Sequence, residues 1–221
     1  MWRYVYGVMD SEVDLEYSLN ETYVYFVAVL SLNRLNNVYD LIVRVSDHVR
    51  EGRLESFFVK PISYFGYNLS LFLGESLLYY VPVFTVALVF SCLTGNIEAG
   101  VGFVVLAIVS QFFCFLVGMI MAVVAFWVVR PDMVLSFQVV LFGVFGGTLM
   151  PLSFWPSSIL PIMEYNPFRL MIGGPAEFLL RPSLELLITL GWMFVCWGVA
   201  FSVLFSIAFH QGSKRYAGAG G

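Results

Sequence analysis

The chain has 221 residues, of which 60% are hydrophobic and only 12% are charged. Soluble domains are about half apolar and about a quarter charged, and a soluble fold of this size could not bury so much apolar surface. Composition therefore excludes an ordinary soluble domain and predicts an integral membrane protein. The net charge of −4 adds little, because the distribution of basic residues between loops matters more than the sum.

The N-terminal segment 1–20 is acidic and is expected to lie outside the membrane. It carries Asp10, Glu12, Asp14 and Glu16. The opening "MWRYVYG" has no long apolar region or cleavage site, so we do not expect it to be a cleavable signal peptide. Our hypothesis is that it forms the outer end of a span whose beginning lies upstream.

Four long apolar segments follow, and each is a predicted membrane span. A helix needs about 20 apolar residues to cross the hydrocarbon core. The four segments are residues 64–93, 101–129, 133–150 and 184–209. A fifth span is predicted at 17–37, where the apolar run is shorter. The runs are continuous rather than alternating, so we predict an all-α polytopic membrane bundle of about five spans, forming one domain over residues 1–221.

Basic residues mark alternate connections along the chain. Eight of the eleven are concentrated in this way: Arg34 flanks the connection 36–61, four lie within it, one is Arg130 and two lie in the tail 210–221. The other three are Arg3, Arg169 and Arg181. Cytoplasmic loops carry the excess of lysine and arginine. These connections and the C-terminus are therefore predicted to lie in the cytoplasm. The protein itself is predicted to lie in the inner (plasma) membrane.

The connection 36–61 contains the charged stretch "VREGRLESFFVKP". Apolar residues repeat at helical spacing at positions 41, 42, 45 and 49 and, after an interruption at Gly52, at positions 54, 57 and 58. This pattern predicts a short amphipathic helix over about 52–59, lying at the cytoplasmic interface and closed by Pro61. Such a helix buries its phenylalanines and offers Arg53 and Glu55 to water or to a partner.

A second unusual connection, 151–182, is apolar but contains six prolines. Each proline ends or bends a helix. We predict short helices that re-enter the outer leaflet, and an extended surface loop is the alternative.

Among the polar residues within predicted spans, three are the candidates for a pathway or for interhelical contacts: Glu75, Gln111 and Gln138. An acidic side chain at mid-bilayer costs ~3 kcal/mol on insertion scales. Glu75 is therefore expected to face the bundle and to be protonated or partnered, for example by Asn68 or Ser76. It either lines a pathway or is structural. The two glutamines are expected to hydrogen-bond between helices.

Smaller features also carry expectations. Pro82 is expected to kink its span. Gly143 and Gly147 form a GxxxG pattern that favours close helix packing. The three cysteines are expected to be small buried hydrophobic residues.

Several kinds of chemistry are missing from the sequence. It contains no GxxxxGK[ST] and no HExxH motif, and its two histidines are far apart. We therefore expect no catalytic, cofactor-binding or metal-binding residues and no enzymatic activity. Because the sequence has no nucleotide-binding motif, any energy taken from ATP must come from another subunit.

The order of these features resembles the ABC type 2 permeases, the membrane half of ATP-binding-cassette exporters. Three pieces carry the resemblance: residues 50–55 with Lys60 and Pro61, the stretch "NPFRLMIGGPAEFLL", and "KRY" followed by a glycine-rich tail. It covers nearly the whole chain and is strongest for the branch ending in Lys-Arg-Tyr and glycines. The family normally has six spans, so the first is expected to be missing here.

The resemblance implies a function for the charged stretch. In this family it is the coupling helix, which touches an ATPase subunit that binds ATP and Mg²⁺, while the permease itself binds no cofactor. The corresponding residues here are Arg50, Glu51, Gly52, Arg53, Leu54, Glu55, Phe57 and Pro61. The charged ones become contact candidates, and Leu54 and Phe57 become anchors. A second permease copy, identical or different, and a hydrophobic or amphipathic cargo are further expectations.

Two other functions stay open. A stand-alone secondary transporter or channel would use Glu75 to carry protons or ions. A non-transporting structural membrane subunit would move no cargo. A membrane enzyme lacks any clustered acid-base or metal-binding set.

Overall fold

The computed structural model describes residues 17–58, 61–128, 131–149 and 151–219. The protein is an all-α polytopic membrane bundle, 82% helical, and the described ranges contain no strand. Its α-helices are α1 (Leu19–Asn33), α2 (Val38–Arg50), α3 (Glu55–Phe58), α4 (Tyr64–Ser76), α5 (Tyr80–Thr94), α6 (Ile97–Val123), α7 (Asp132–Val140), α8 (Leu160–Glu164), α9 (Gly173–Leu180) and α10 (Leu184–Ala219). The predictions for residues 1–16 and for Arg130 lie outside the described residues.

Three of the predicted spans are confirmed as helices long and apolar enough to cross a membrane. They are Tyr64–Thr94, Ile97–Phe126 and Leu184–Lys214. The second is the central helix of the bundle, since 61% of its most apolar window is buried, against 11% and 6% for the other two. The outer faces of the peripheral helices carry exposed leucine, valine and isoleucine side chains, as lipid-facing surfaces do.

The span predicted at 133–150 is wrong in length. Helix α7 continues through a π-helical turn, Leu141–Phe145, and then stops. Beyond it Gly147 adopts a φ of 82°, which favours glycine. Tyr25 Oη donates a hydrogen bond to the Gly147 carbonyl at 2.8 Å. Because the helix ends before Gly147, Gly143 and Gly147 do not form a helical GxxxG face.

The segment predicted as a span at 17–37 forms only the 15-residue helix α1. Ser18 and Glu21 form a capping box at its start. A break follows, and then comes the amphipathic helix α2. The apolar repeat predicted for α2 is confirmed, because Leu41, Ile42 and Val45 are buried.

Helix α2 packs against α6 at a glycine. A Cβ added at Gly118 would lie 2.9 Å from Leu41 Cδ2 and 3.2 Å from both methyl carbons of Val38. The absence of a side chain at 118 therefore allows the apolar face of α2 to approach the central helix.

Pro82 was expected to kink its span, and a change of helix type lies one turn before it. A 3₁₀ turn, Leu77–Tyr79, separates α4 from α5. A proline ring clashes with the carbonyl four residues earlier, here that of Leu78, so α-helical geometry is interrupted one turn before Pro82.

The proline-rich segment forms short helices, and the extended surface loop is wrong. Helix α9 is buried from Gly173 through Leu179. Ser110 Oγ of α6 donates to the Leu170 carbonyl at 2.7 Å. Trp197 Nε1 of α10 donates to the Tyr165 carbonyl at 3.1 Å, so the segment is fastened to two of the long helices.

The cysteine prediction holds only in part. Cys114 is buried, as expected, but Cys92 and Cys196 are exposed. Cys92 lies on α5 and Cys196 on α10, the peripheral helices whose outer faces are accessible.

Candidate functional site

The charged stretch forms a tight turn between α2 and α4. Gly52 has a φ of 74°, a left-handed conformation that glycine adopts at the ends of helices. The Arg53 N–H donates to the His48 carbonyl at 3.0 Å, and the Glu51 N–H donates to the Asp47 carbonyl at 2.9 Å. These bonds satisfy carbonyls at the end of α2 and fix the direction of the turn. The helix predicted over 52–59 therefore begins later, at Glu55, and spans one turn.

Charged side chains cover the outside of this turn. The exposed residues are Arg50, Glu51, Gly52, Arg53, Glu55 and Ser56. Arg53 pairs with Glu51, and Arg50 Nη1 lies 3.6 Å from Asp47 Oδ1. Exposed pairs of this kind contribute only about 0–1 kcal/mol to stability. They can therefore be exchanged for contacts with a partner at little cost.

The apolar side chains of the turn point inward. Leu54 is 3% exposed, and Phe57 is half-buried. The Phe57 ring lies 4.8 Å from that of Tyr67, 5.0 Å from that of Tyr64 and 5.9 Å from that of His48, between centroids. We call His48, Phe57, Tyr64 and Tyr67 the aromatic cage. It anchors the turn to the end of α2 and to the first turn of α4.

The aromatic cage also reaches the last helix. The ring of Tyr64 stacks on that of Phe209 of α10, with centroids 6.2 Å apart. A cavity of about 470 Å³ lies beside the stack and is lined by Leu54, Phe57, Pro61, Ile62, Ser63, Tyr64 and Phe209. Pro61 thus lies where it was expected, at the close of the turn. Lys60 lies outside the described residues.

His48 is the titratable member of the cage. One of its ring nitrogens, Nδ1, lies 3.1 Å from Tyr64 Oη. Burial lowers the pKa of His48 from its ordinary value of 6.5, and the positive charges of Arg53 and Arg44 lower it further. The cage therefore favours a neutral imidazole.

Glu75 is partnered, as expected, but by a residue on another helix. Arg44 Nη2 lies 2.7 Å from both carboxylate oxygens of Glu75. The suggested neighbours have other partners: Asn68 donates to the Tyr64 carbonyl, and Ser76 accepts from Asn37. The structure thus separates Glu75 from the charged turn and places it in a link between α2 and α4.

The two glutamines also lie away from the turn. Gln111 is 2% exposed and accepts a hydrogen bond from Tyr80 Oη, which joins α6 to α5. Gln138 of α7 is 8% exposed, and its Oε1 has no partner among the described residues.

Among the ion pairs that sequence reasoning missed, one is buried. Arg169 Nη2 lies 2.6 Å from Glu177 Oε2, with side chains only 11% and 8% exposed. Arg169 Nη1 also donates to the Glu164 carbonyl at 2.9 Å. The available signal was two opposite charges eight residues apart in the apolar stretch "FRLMIGGPAEF", because buried charges are almost always paired.

Comparison with known proteins identifies one family. The family model described as "ABC-2 family transporter protein" matches residues 11–220. No curated protein and no solved structure shows significant similarity to the chain. Within the described residues no cluster of three or more histidine, cysteine or acidic side chains is arranged to hold a metal ion.

Proposed function

The chain belongs to the ABC-2 transporter family, and from that membership we propose that it is the permease subunit of an exporter. In this proposal it moves a hydrophobic or amphipathic cargo outward, driven by ATP that a separate ATPase subunit binds with Mg²⁺ and hydrolyses. The family establishes a membrane permease of ABC-type transport, and direction, cargo and subunit composition are the proposed parts.

The turn between α2 and α4 is the proposed docking site for the ATPase. Its exposed charges, at positions 50, 51, 53 and 55, are the contact candidates. Gly52 allows the backbone to turn, Leu54 and Phe57 anchor the turn, and Pro61 closes it. The observation that carries this assignment is the combination, within residues 50–57, of exposed charged side chains with two apolar anchors, the buried Leu54 and the half-buried Phe57.

The aromatic cage supplies a route for mechanical coupling. A displacement of Phe57 acts directly on Tyr64 and Tyr67 of α4, and Tyr64 stacks on Phe209 of α10. Packed side chains resist continuous deformation. Closure of ATPase subunits beneath the turn would therefore tilt both long helices.

Sidedness follows from the basic residues. We place the turn and the end of α10 in the cytoplasm, where arginine and lysine accumulate. The proposed location is the inner membrane, with a second permease copy, identical or different, completing the pathway.

The test is transport by the reconstituted complex. The chain and a candidate ABC ATPase from the same genome are co-expressed, purified and placed in liposomes, and efflux of a fluorescent amphipathic dye is followed. We expect efflux that requires ATP and stops when the ATPase phosphate-binding lysine is substituted. Flux driven by a proton gradient without ATP would favour the stand-alone transporter that uses Glu75.

A further inference from the structure

The buried pair Arg169–Glu177 forms one wall of a cavity that the coupling mechanism does not use. The cavity has a volume of about 240 Å³. Its lining residues are Tyr17, Leu152, Leu160, Glu164, Arg169, Glu177, Arg181, Ser183 and Leu186. It lies where α8, α9 and the start of α10 meet, far in sequence from the charged turn.

The charges of the described lining residues sum to zero. Two guanidinium groups, Arg169 and Arg181, face two carboxylates, Glu164 and Glu177. Glu21 lies outside the lining, with Oε1 3.6 Å from Arg181 Nη2, and so adds negative charge nearby. A purely anionic ligand would leave charge uncompensated, whereas a ligand with one positive and one negative group matches this wall.

Arg169 and Glu177 are committed to each other in the fold, and Arg181 contacts Tyr17 and Glu21. Arg169 donates twice to Glu177 and once to the Glu164 carbonyl. The carboxylate of Glu164, by contrast, accepts no hydrogen bond from any described residue, and the residue is exposed. Glu164 is therefore the group that can accept hydrogen bonds from a ligand cation.

The type of cation follows from Tyr17. Quaternary ammonium groups bind on aromatic faces. The Arg181 guanidinium already lies over the Tyr17 ring, 4.8 Å from its centroid. Because Arg181 occupies this face of the Tyr17 ring, the cavity offers a cation the Glu164 carboxylate rather than an aromatic face. A carboxylate suits a primary ammonium group, which donates three hydrogen bonds.

The surroundings indicate a lipid. Ser183 and Leu186 of the lining adjoin the first turn of α10, where Leu184, Leu187 and Ile188 are exposed. This apolar surface continues to the exposed Trp192, and tryptophan is enriched at membrane interfaces. An acyl chain can lie along this face of α10 while a headgroup occupies the cavity.

We propose that this cavity binds the phosphoethanolamine headgroup of a membrane lipid. Glu164 accepts from the ammonium group. The Arg181 guanidinium, which carries five donors, and the Ser183 hydroxyl donate to the phosphate. The site is independent of ATP-driven transport and goes beyond it.

The test measures lipid binding to the detergent-purified full chain by native mass spectrometry. Dioleoyl phosphatidylethanolamine, phosphatidylglycerol and phosphatidylcholine are added separately at equal concentrations. We expect phosphatidylethanolamine to bind about tenfold more tightly than the other two, the factor that one charge-assisted hydrogen bond provides. Glu164→Gln should remove this preference, and Arg181→Gln should weaken binding of phosphatidylethanolamine by a similar factor.

Controls separate the site from general effects. Glu98→Gln, at an exposed glutamate on α6 that does not line the cavity, should keep the preference. Equal binding of the three lipids to the unaltered chain, or an unchanged preference in Glu164→Gln, would overturn the proposal. If free phosphoethanolamine bound as tightly as phosphatidylethanolamine, the conclusion that the bound headgroup belongs to a lipid would be overturned. None of these readouts depends on an ATPase partner.

Discussion

A single nitrogen of Arg44 holds Glu75: Nη2 lies 2.7 Å from each carboxylate oxygen, across 31 residues of chain. The pair joins the amphipathic helix α2 to the first long span. Arg44 Nη1 is buried and has no partner among the described residues. Glu75 is thus the only counter-charge that the described contacts give Arg44.

Glu75→Gln should therefore fold but be less stable. The amide keeps one acceptor and removes the charge opposite Arg44. Because Glu75 is 40% exposed, water offsets part of the loss, and we expect about 1–2 kcal/mol. Chemical unfolding in micelles, followed by circular dichroism, measures it.

A double-mutant cycle compares the single variants Arg44→Met and Glu75→Gln with the double variant Arg44→Met/Glu75→Gln. The double variant should lose less stability than the sum of the two single variants, because neither charge is then left alone. Strict additivity would show that the two side chains do not stabilise one another. Complete loss of folded protein in Glu75→Gln alone would assign Glu75 a purely structural role.

Charge reversal on the turn should weaken association with the ATPase. Glu51→Lys and Arg53→Glu alter exposed groups, so membrane insertion and yield should stay unchanged. We expect the amount of co-purified ATPase to fall about tenfold or more, since like charges brought together at an interface cost several kcal/mol.

The matched control for charge reversal is Glu185→Lys, at an exposed glutamate at the start of α10. It should leave co-purification unchanged. Undiminished recovery of the ATPase with Glu51→Lys and Arg53→Glu would argue against docking at the turn.

Phe57→Ala should uncouple the turn from the spans. It removes the ring that contacts His48, Tyr64 and Tyr67, while the exposed charges remain. The half-buried ring predicts a loss of about 1–3 kcal/mol in stability. The ATPase should still co-purify, but the permease should no longer stimulate ATP hydrolysis. Phe57→Tyr, which keeps a ring, should retain most of the stimulation.

Stability should fall in mild acid because of His48. The folded pKa lies below the 6.5 of the unfolded chain, so the unfolded state binds the proton more readily. This contribution is fully present above pH 6.5 and is lost as the pH falls through the lower folded value. The groups facing His48 are Tyr64 and Tyr67 in the cage and Arg44, Asp47, Glu51 and Arg53 around it.

Thermal unfolding between pH 7.5 and 5 measures the effect. His48→Phe should flatten the dependence, and substitution of the exposed His210 should not. An identical pH profile for His48→Phe and the unaltered chain would exclude His48 as the source.

Gly147→Ala should destabilise the chain by about 1–2 kcal/mol or more. The residue has a φ of 82°, which costs an L-residue about 1–2 kcal/mol. The added Cβ would also lie 2.5 Å from Tyr25 Oη. Gly198→Ala is the control, since a Cβ there has no neighbour within 4 Å and alanine favours helix. A Gly147→Ala midpoint equal to that of Gly198→Ala would contradict this account.

Composition and periodicity predicted much of the fold. Three long spans follow from continuous apolar runs, and the apolar face of α2 follows from positions 41, 42 and 45. Proline spacing predicted the short helices of 151–182. Helix length, the apolar face of a helix and the breaks at prolines depend mainly on neighbouring residues in the sequence, so the sequence alone predicts them.

Other features needed the tertiary structure. The end of α7 depends on Tyr25, which bonds to Gly147 from 122 residues away. The partner of Glu75 is on α2 rather than among its own neighbours. The burial of Phe57 was predicted from its own stripe, but the rings that it contacts lie on two other elements. The spacing of residues within one segment does not predict which residues of distant segments will contact one another.

The glycine at 118 has an evolutionary consequence. Leu41 and Val38 occupy the space that its missing side chain leaves, so the three positions share one volume. Alanine at position 118 in a homologue should accompany a smaller residue at 38 or 41. An alignment of relatives should therefore show volume covariation among these positions, and deep mutational scanning should show that alanine at 118 is rescued by valine at 41.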